Sequence, residues 1–196
     1  DTARVTNLEI TAQAETVNVA TAADLTADEA SEVAGKVSWM LGLEQDFSTF
    51  YDLVRKEPAL THVIDYARGR ILRSATFFED TVKMILTTNT SWAGTKRMVA
   101  GVVNSLGSPL GHDSTHRAFP TPKQLAAAGT EALQEIGLGY RAPFIAQLAS
   151  DVVEGGLDLE GLKTSELSTP EIRKRLLAIK GGGAYASAGL LMLLGR

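Results

Sequence analysis

Helix-start signals recur along most of this chain and constrain its fold more than any other feature. From Thr26 onwards, apolar residues repeat at helical intervals behind residues that cap helices well. Thr26 stands three residues before Glu29, a capping-box spacing, and Thr121 precedes a proline at the first helical position. Short helices with short connections predict a compact, mainly α fold. We predict helices over residues 26–41, 46–54, 58–66, 77–87, 91–106, 141–154, 170–179 and 184–196, and another from 121.

The first twenty residues differ from the rest because polar and apolar residues alternate in them. This alternation predicts two short strands, with a turn at Ala14-Glu-Thr. An isolated hairpin is marginal in water, so we expect these strands to pair with further strands or to pack on the helices. The apolar members are Val5, Leu8, Ile10, Val17 and Val19.

Composition excludes several classes of site. The 196 residues contain no cysteine, which excludes disulfides, a cysteine nucleophile, a thiolate zinc site and an iron–sulfur cluster within them. No apolar run approaches the ~20 residues of a membrane span. His112 and His116 lie in a Gly/Pro-containing polar loop predicted over 107–120, without the glutamate of a zinc-protease motif. We therefore expect no metal site there.

The net charge of −4 hides an uneven distribution. Residues 1–69 carry −7 and residues 108–170 carry −4, whereas residues 70–107 carry +3 and residues 171–196 carry +4. The two basic blocks could fold into one face that meets phosphates. They could equally be ordinary solvated helix faces.

The triple glycine at 181–183 is the most informative segment for chemistry. An apolar helix ends at Ile179, and a second apolar helix begins directly after the glycines. Glycine lets another backbone or a phosphate approach closely, and the amides of Gly183, Ala184 and Tyr185 would lie unpaired at the helix N-terminus. The pattern predicts a phosphate site built from main-chain N–H groups. Taken alone, it is also compatible with a plain glycine-rich turn between helices.

Three further segments precede this hairpin in a distinctive order: Phe78-Glu-Asp-Thr-Val-Lys-Met-Ile-Leu-Thr-Thr-Asn-Thr-Ser, Phe119-Pro-Thr-Pro-Lys-Gln-Leu and Ile136-Gly-Leu-Gly-Tyr-Arg-Ala. With the hairpin, they resemble the helix–hairpin–helix (HhH-GPD) superfamily of DNA glycosylases, in particular 3-methyladenine DNA glycosylase II and the 8-oxoguanine DNA glycosylases. Trp39-Met-Leu-Gly-Leu and Gly69-Arg-Ile-Leu-Arg-Ser resemble the first of these groups. The resemblance extends from about residue 25 to residue 196.

The resemblance implies a helix–hairpin–helix glycosylase bundle with a short N-terminal β remnant. Residues 1–22 would be the tail of an N-terminal β domain, and residues 23–196 would be the helical domain without its C-terminal part. These enzymes take a base out of the helical stack before cutting its glycosidic bond. The implied partner is double-stranded DNA containing a damaged base, and the implied protein is an intracellular monomer.

The resemblance also implies roles for individual residues on the DNA. Asn89 matches the residue that fills the gap left by the flipped base, Tyr140 the one that wedges into the opposite strand, and Arg141 the one that contacts the estranged base. The hairpin residues Gly181, Gly183 and Ala184 would hold the DNA backbone. From the residues alone, Asn89 could instead cap the helix near Ser91, Tyr140 could be a partly buried aromatic, and Arg141 could be a surface charge.

Tyr185 stands where glycosylases that also cut the DNA backbone carry a lysine. A phenol cannot form a Schiff base, so the resemblance implies a monofunctional enzyme, with Tyr185 stacked on an alkylated or oxidised purine. A tyrosine packed between hairpin and core is the alternative. The resemblance implies that Gly189 stands where the relatives carry a second aromatic of the base pocket, which predicts a pocket that is roomier or stacks the base less. The catalytic residue is unknown, because the family's aspartate would follow Arg196.

Three hypotheses about the function therefore stay open. The first is a monofunctional DNA glycosylase for alkylated or oxidised purines, and the second is a non-catalytic HhH module that binds damaged or distorted DNA. The third is a helical interaction protein that shares only the hairpin. The resemblance implies no cofactor and leaves open a monovalent cation at the hairpin. Trp39, Trp92, Phe77 and Phe78 lie in apolar helical stripes and are predicted to be core residues.

Overall fold

The computed structural model describes residues 4–13, 15–111 and 113–196. Over these residues the chain forms nine α-helices, two strand pairs and three short 3₁₀ turns, which confirms the mainly α prediction. The helices are α1 (Ala27–Leu41), α2 (Ser48–Val54), α3 (His62–Asp65), α4 (Phe77–Thr87), α5 (Trp92–Leu106), α6 (Pro122–Glu135), α7 (Ala142–Val153), α8 (Thr169–Ala178) and α9 (Gly183–Leu193). The strands are β1 (Leu8–Gln13), β2 (Thr16–Thr21), β3 (Pro109–Leu110) and β4 (Asp113–Arg117).

Side-chain caps begin the main helices where the sequence predicts them. The hydroxyl of Thr26 accepts from the Glu29 amide at the start of α1, and Thr121 does the same for Gln124 at the start of α6. Both form complete capping boxes. Because these caps satisfy amides that a helix leaves unpaired, the local sequence determines these boundaries.

Two segments differ from the prediction. The helix predicted over 58–66 is a 3₁₀ turn, Pro58–Leu60, followed by the single turn of α3. The predicted loop 107–120 contains the strand pair β3–β4, in which Pro109 pairs with Arg117. Short pairings of this kind depend on the partner strand, which a polar, glycine-containing segment does not reveal.

Helix α4 lies at the centre of the molecule. It buries Phe77, Val82, Ile85 and Leu86 almost completely. The core also includes apolar residues from α5 to α9, while α6 and α7 pack against each other. Burial of each such large side chain contributes about 1.5–3 kcal/mol, so this core stabilises the packing of α4 against α5 and α9.

One predicted core residue is wrong. Trp92, in the first turn of α5, is 69 % exposed, whereas Phe77 and Phe78 are buried and Trp39 is partly buried. The helical stripe placed Trp92 on an apolar face, but the neighbouring helices do not cover the first turn of α5.

The N-terminal strands form an antiparallel hairpin, with Ile10 opposite Val19. Arg4 connects this part to the helices, because its guanidinium donates to the Asp24 carbonyl and lies 3.2 Å from the Glu29 carboxylate. The assignment of residues 1–22 to an N-terminal β domain stays a prediction. Within the described residues, no helix is long and apolar enough to cross a membrane.

Candidate functional site

An open cleft of about 540 Å³ lies between the C-terminal end of α4 and the hairpin before α9. Three segments far apart in sequence line it, namely the turn after α4, the turn before α7 and the glycine hairpin. The cleft therefore brings together Asn89, Tyr140, Gly181, Gly183, Ala184 and Tyr185, which the sequence predicted as functional residues. Its lining consists of Thr87, Thr88, Asn89, Tyr140, Gly181, Gly182, Gly183, Ala184 and Tyr185.

The hairpin has the backbone geometry that its glycines allow. Gly181 and Gly183 have φ values of +86° and +62°, in the left-handed region that favours glycine. A Cβ on Gly181 would lie 2.6 Å from Cδ2 of Phe144, so this residue also lets the hairpin contact α7 closely. Gly183 faces open space, with nothing within 4 Å of its Cβ position.

The first amides of α9 are available to an external acceptor. Across residues 4–13, 15–111 and 113–196, no backbone hydrogen bond uses the amides of Gly183, Ala184 or Tyr185, and no side chain caps the helix. These amides lie at the positive end of the helix dipole. The N–H groups of the hairpin can therefore bind an anion such as a phosphate.

Asn89 lies at the tip of the turn between α4 and α5. It is exposed and has a φ of +45°, which an asparagine tolerates better than most residues. It does not cap α5, because Ser91 does so through its hydroxyl, which accepts from the Gly94 amide at 3.2 Å. The capping alternative for Asn89 is therefore excluded by the structure.

Arg141 donates hydrogen bonds to the backbone of this turn. Only 6 % of Arg141 is exposed, and its Nη2 donates to the carbonyls of Thr88 and of Asn89, the latter at 3.2 Å. Its guanidinium also lies 4.4 Å from the ring centroid of Tyr140. Arg141 is thus not a surface charge, and in this structure it holds the Asn89 turn; its predicted contact with an estranged base stays a prediction.

Tyr140 projects from the turn before α7 with 52 % of its surface exposed. Its ring meets Phe144 edge-on, with centroids 6.3 Å apart, and Phe144 in turn contacts Gly181. Asn89 and Tyr140 therefore lie on the same side of the molecule, and the contacts of Arg141 and Phe144 fix all three segments relative to one another.

Tyr185 is 67 % exposed at the edge of the cleft, so it is not packed between hairpin and core. Gly189, one turn later, does not line the cleft. A Cβ on Gly189 would lie 1.9 Å from Cε of Met84, which shows that the Met84 thioether occupies the space that the sequence analysis expected to be empty.

The electrostatics of the site favour an anion. The residues that line the cleft carry no carboxylate. Lys180 lies exposed in the hairpin, and no acidic group within the described ranges forms a salt bridge with it. Nothing in the cleft therefore opposes the approach of a phosphodiester backbone.

Residues 82–189 match the family model of the HhH-GPD superfamily base excision DNA repair proteins. This match spans more than half of the chain and includes every segment of the cleft. The chain belongs to the HhH-GPD superfamily.

Several solved structures have a similar fold. The chain is 26 % identical to MBOgg1 in complex with a low-affinity DNA ligand, with a TM-score of 0.74 over 98 % of this chain and 64 % of that one. It is also 26 % identical to the 3-methyladenine DNA glycosylase of Archaeoglobus fulgidus, with a TM-score of 0.74 over 92 % and 61 % of the two chains.

A third structure is the Clostridium acetobutylicum 8-oxoguanine glycosylase/lyase in complex with DNA that contains cytosine opposite 8-oxoguanine. It is 22 % identical, with a TM-score of 0.71 over 95 % of this chain and 62 % of that one, and it shows the shared fold alone. The chain thus spans less than two thirds of the length of these structures. Comparison with curated protein sequences gives no match.

Sequence reasoning missed Phe144 and Met84, which do not line the cleft but pack against residues predicted for the site, Gly181 and Gly189. Phe144 follows Tyr140 by four residues, a helical spacing that could have indicated contact between them. No sequence signal indicated Met84, because its position beside Gly189 depends on how α4 packs against α9. The catalytic aspartate expected after Arg196 stays a prediction.

Of the two histidines in the 107–120 segment, the structure describes His116 alone. His112 lies outside the described residues, and the His116 ring bonds to the Asp113 carboxylate at 2.7 Å. Within the part of the chain that the structure describes, no three His, Asp or Glu side chains could hold a metal ion.

Proposed function

We propose that this protein is a monofunctional DNA glycosylase that flips alkylated or oxidised purines out of double-stranded DNA and removes them. One observation carries the proposal: Asn89, Tyr140 and the glycine hairpin line a single cleft. Two solved relatives contain DNA, and the relatives include 3-methyladenine and 8-oxoguanine glycosylases.

The geometry supports a separate contact with the duplex for each segment of the cleft. The amides after Gly182 bind a phosphate of the damaged strand, which places the neighbouring nucleotide over the cleft. Asn89 enters the gap left by the flipped base, and Tyr140 separates the bases of the opposite strand. Flipping costs a few kcal/mol, which these contacts offset.

Tyr185 receives the flipped base at the edge of the cleft. Its exposed ring offers a π face to a purine, and the face attracts an alkylated, electron-poor base most strongly. A phenol has no amine for a Schiff base, so we propose water as the nucleophile, assisted by the aspartate expected after Arg196. We further propose that the protein acts as an intracellular monomer, without a cofactor.

A glycosylase assay with the intact protein tests this function. Duplexes that carry single alkylated, oxidised or deaminated bases are incubated with the protein, and abasic sites are detected by alkaline cleavage. We expect abasic sites with alkylated or oxidised purines, and strand cleavage only after alkali. Cleavage without alkali would contradict the monofunctional assignment.

A non-catalytic module that binds distorted DNA is the second candidate, because the described cleft lining lacks a carboxylate. Salt-dependent binding to a duplex with an abasic-site analogue, without base release from any substrate, would favour this module. Absence of salt-dependent duplex binding would contradict both candidates and favour a helical interaction protein.

A further inference from the structure

The indole of Trp92 lies outside the core. It is 69 % exposed although it begins a helix that buries Met98 and Val102. Single exposed apolar side chains are normal on protein surfaces, so a contact surface is inferred here only from the position of Trp92 and the charge around it.

Trp92 lies close in sequence to the proposed DNA-binding cleft, although it does not line the cleft itself. Only Thr90 and Ser91 separate it from Asn89, and a Cβ on Gly94 would lie 2.4 Å from the Thr90 hydroxyl. The Thr90 side chain thus packs beside Gly94 in the first turn of α5, the turn that carries Trp92. Trp92 therefore lies next to the residue proposed to enter the DNA.

The charge of α5 matches a nucleic acid. Lys96 follows Trp92 by four residues, on the same side of the helix, and Arg97 is the next residue. Both are exposed, and α5 contains no acidic residue. No salt bridge within residues 4–13, 15–111 and 113–196 neutralises either cation.

We propose that Trp92 and Lys96 form a second DNA-contact surface along the first two turns of α5. The indole packs against nucleotides beside the gap that Asn89 fills, and the Lys96 ammonium binds a backbone phosphate. This inference rests on the proposed function and extends it to a surface outside the cleft.

Tryptophan fluorescence tests the contact without requiring base removal. The chain has two tryptophans, so Trp39→Phe leaves Trp92 as the only one. Acrylamide quenching is measured with and without saturating duplex that carries a tetrahydrofuran abasic-site analogue. If Trp39→Phe does not fold, the Trp92 signal is obtained by subtracting the fluorescence of Trp92→Phe from that of the wild type.

We expect the duplex to lower the quenching of Trp92 to the level of the partly buried Trp39, measured in Trp92→Phe. Binding, monitored by anisotropy of a labelled duplex, with unchanged quenching would overturn this inference and leave the proposed function standing. No binding would overturn both. Weak quenching in the free protein, together with a dimer on size exclusion, would instead assign Trp92 to contact with a second copy.

Affinity measurements add a second readout. Trp92→Ala should weaken duplex binding roughly tenfold, the scale of one aromatic–base contact, with an unchanged melting temperature.

The salt dependence of binding tests Lys96. Lys96→Gln should lower the slope of log affinity against log salt concentration by about one phosphate contact. Lys56→Gln is the control, since Lys56 is an exposed lysine after α2, and it should leave the slope unchanged. Equal slopes for Lys96→Gln and wild type would contradict the phosphate contact.

Discussion

The guanidinium of Arg141 donates to the main-chain carbonyl of Asn89, 52 residues earlier in the chain, at 3.2 Å. The same Nη2 donates to the Thr88 carbonyl, and the guanidinium lies against the Tyr140 ring. One buried cation thus positions both side chains proposed to hold the duplex open. Arg141 acts in this structure as a positioning residue for the cleft.

Arg141→Ala should lower the free energy of unfolding by about 2 kcal/mol or more, because two carbonyls lose a charged donor. It should also weaken binding to an abasic-site duplex, measured by anisotropy. Arg117→Ala is the matched control, since Arg117 donates to the Gly107 carbonyl at 2.7 Å away from the cleft. If both variants lose stability and only Arg141→Ala loses affinity, the positioning role is supported; equal affinities would contradict it.

Asn89→Gly should bind an undamaged duplex like wild type but lose affinity for the abasic-site duplex and activity on damaged bases, because the side chain that enters the gap is absent. Glycine adopts the φ of +45° without strain, so stability should not fall. Asn89→Ala should show the same binding defect and, in addition, a loss of about 1 kcal/mol from left-handed strain. Equal loss on damaged and undamaged duplexes would make Asn89 a residue of the fold.

Gly183→Asp should weaken binding to every duplex, because it puts a negative charge beside the amides proposed to bind phosphate. A Cβ at position 183 would meet no atom within 4 Å, but the φ of +62° strains the backbone of any residue that has a side chain. Gly183→Ala measures that strain alone, at about 1 kcal/mol. Fluorescence anisotropy should therefore show a larger loss of affinity for Gly183→Asp than for Gly183→Ala; similar affinities would argue against phosphate binding at the hairpin.

Gly189→Ala should lower the free energy of unfolding by about 1–3 kcal/mol, since the new Cβ competes with Cε of Met84 for the same space. Met84→Ala removes the competing atoms. The double variant should therefore lose less stability than the sum of the two single variants, as measured by urea denaturation. Additive losses would show that Met84 moves aside freely.

The buried carboxyl of Asp80 makes the stability of the fold depend on pH. Burial raises the pKa of its carboxyl, although the Ser74 amide donates to Oδ1 at 3.0 Å and Lys83 and Lys163 act in the opposite direction. The folded state therefore holds this proton to higher pH than the unfolded state, so the contribution of Asp80 to stability falls as pH rises above the ordinary value of 3.8.

Asp80→Asn should remove this loss while keeping an acceptor for Ser74. The difference in free energy of unfolding between Asp80→Asn and wild type should thus shift in favour of the variant as pH rises from 3.8. Urea denaturation at several pH values measures the difference. A difference independent of pH would show that Asp80 keeps the same pKa in both states.

The sequence alone determined the helices with strong local signals and the order of the site segments. Thr26 and Thr121 cap their helices as predicted, since a capping box needs only residues three apart. Asn89, Tyr140 and Arg141 were named from the resemblance to the HhH-GPD family, whose motifs are continuous segments of sequence, and not from local signals.

Tertiary packing decided what lies beside those residues. The burial of Arg141 under the Asn89 turn, the Met84 thioether beside Gly189 and the exposure of Trp92 all depend on how α4, α5, α7 and α9 meet. Hydrophobic periodicity indicates which face of a helix is apolar, but not whether another element covers its end. The resemblance in the sequence therefore predicted six of the residues that line the cleft but not the place of Gly189, whereas contacts between residues distant in the chain determined how the cleft is held together.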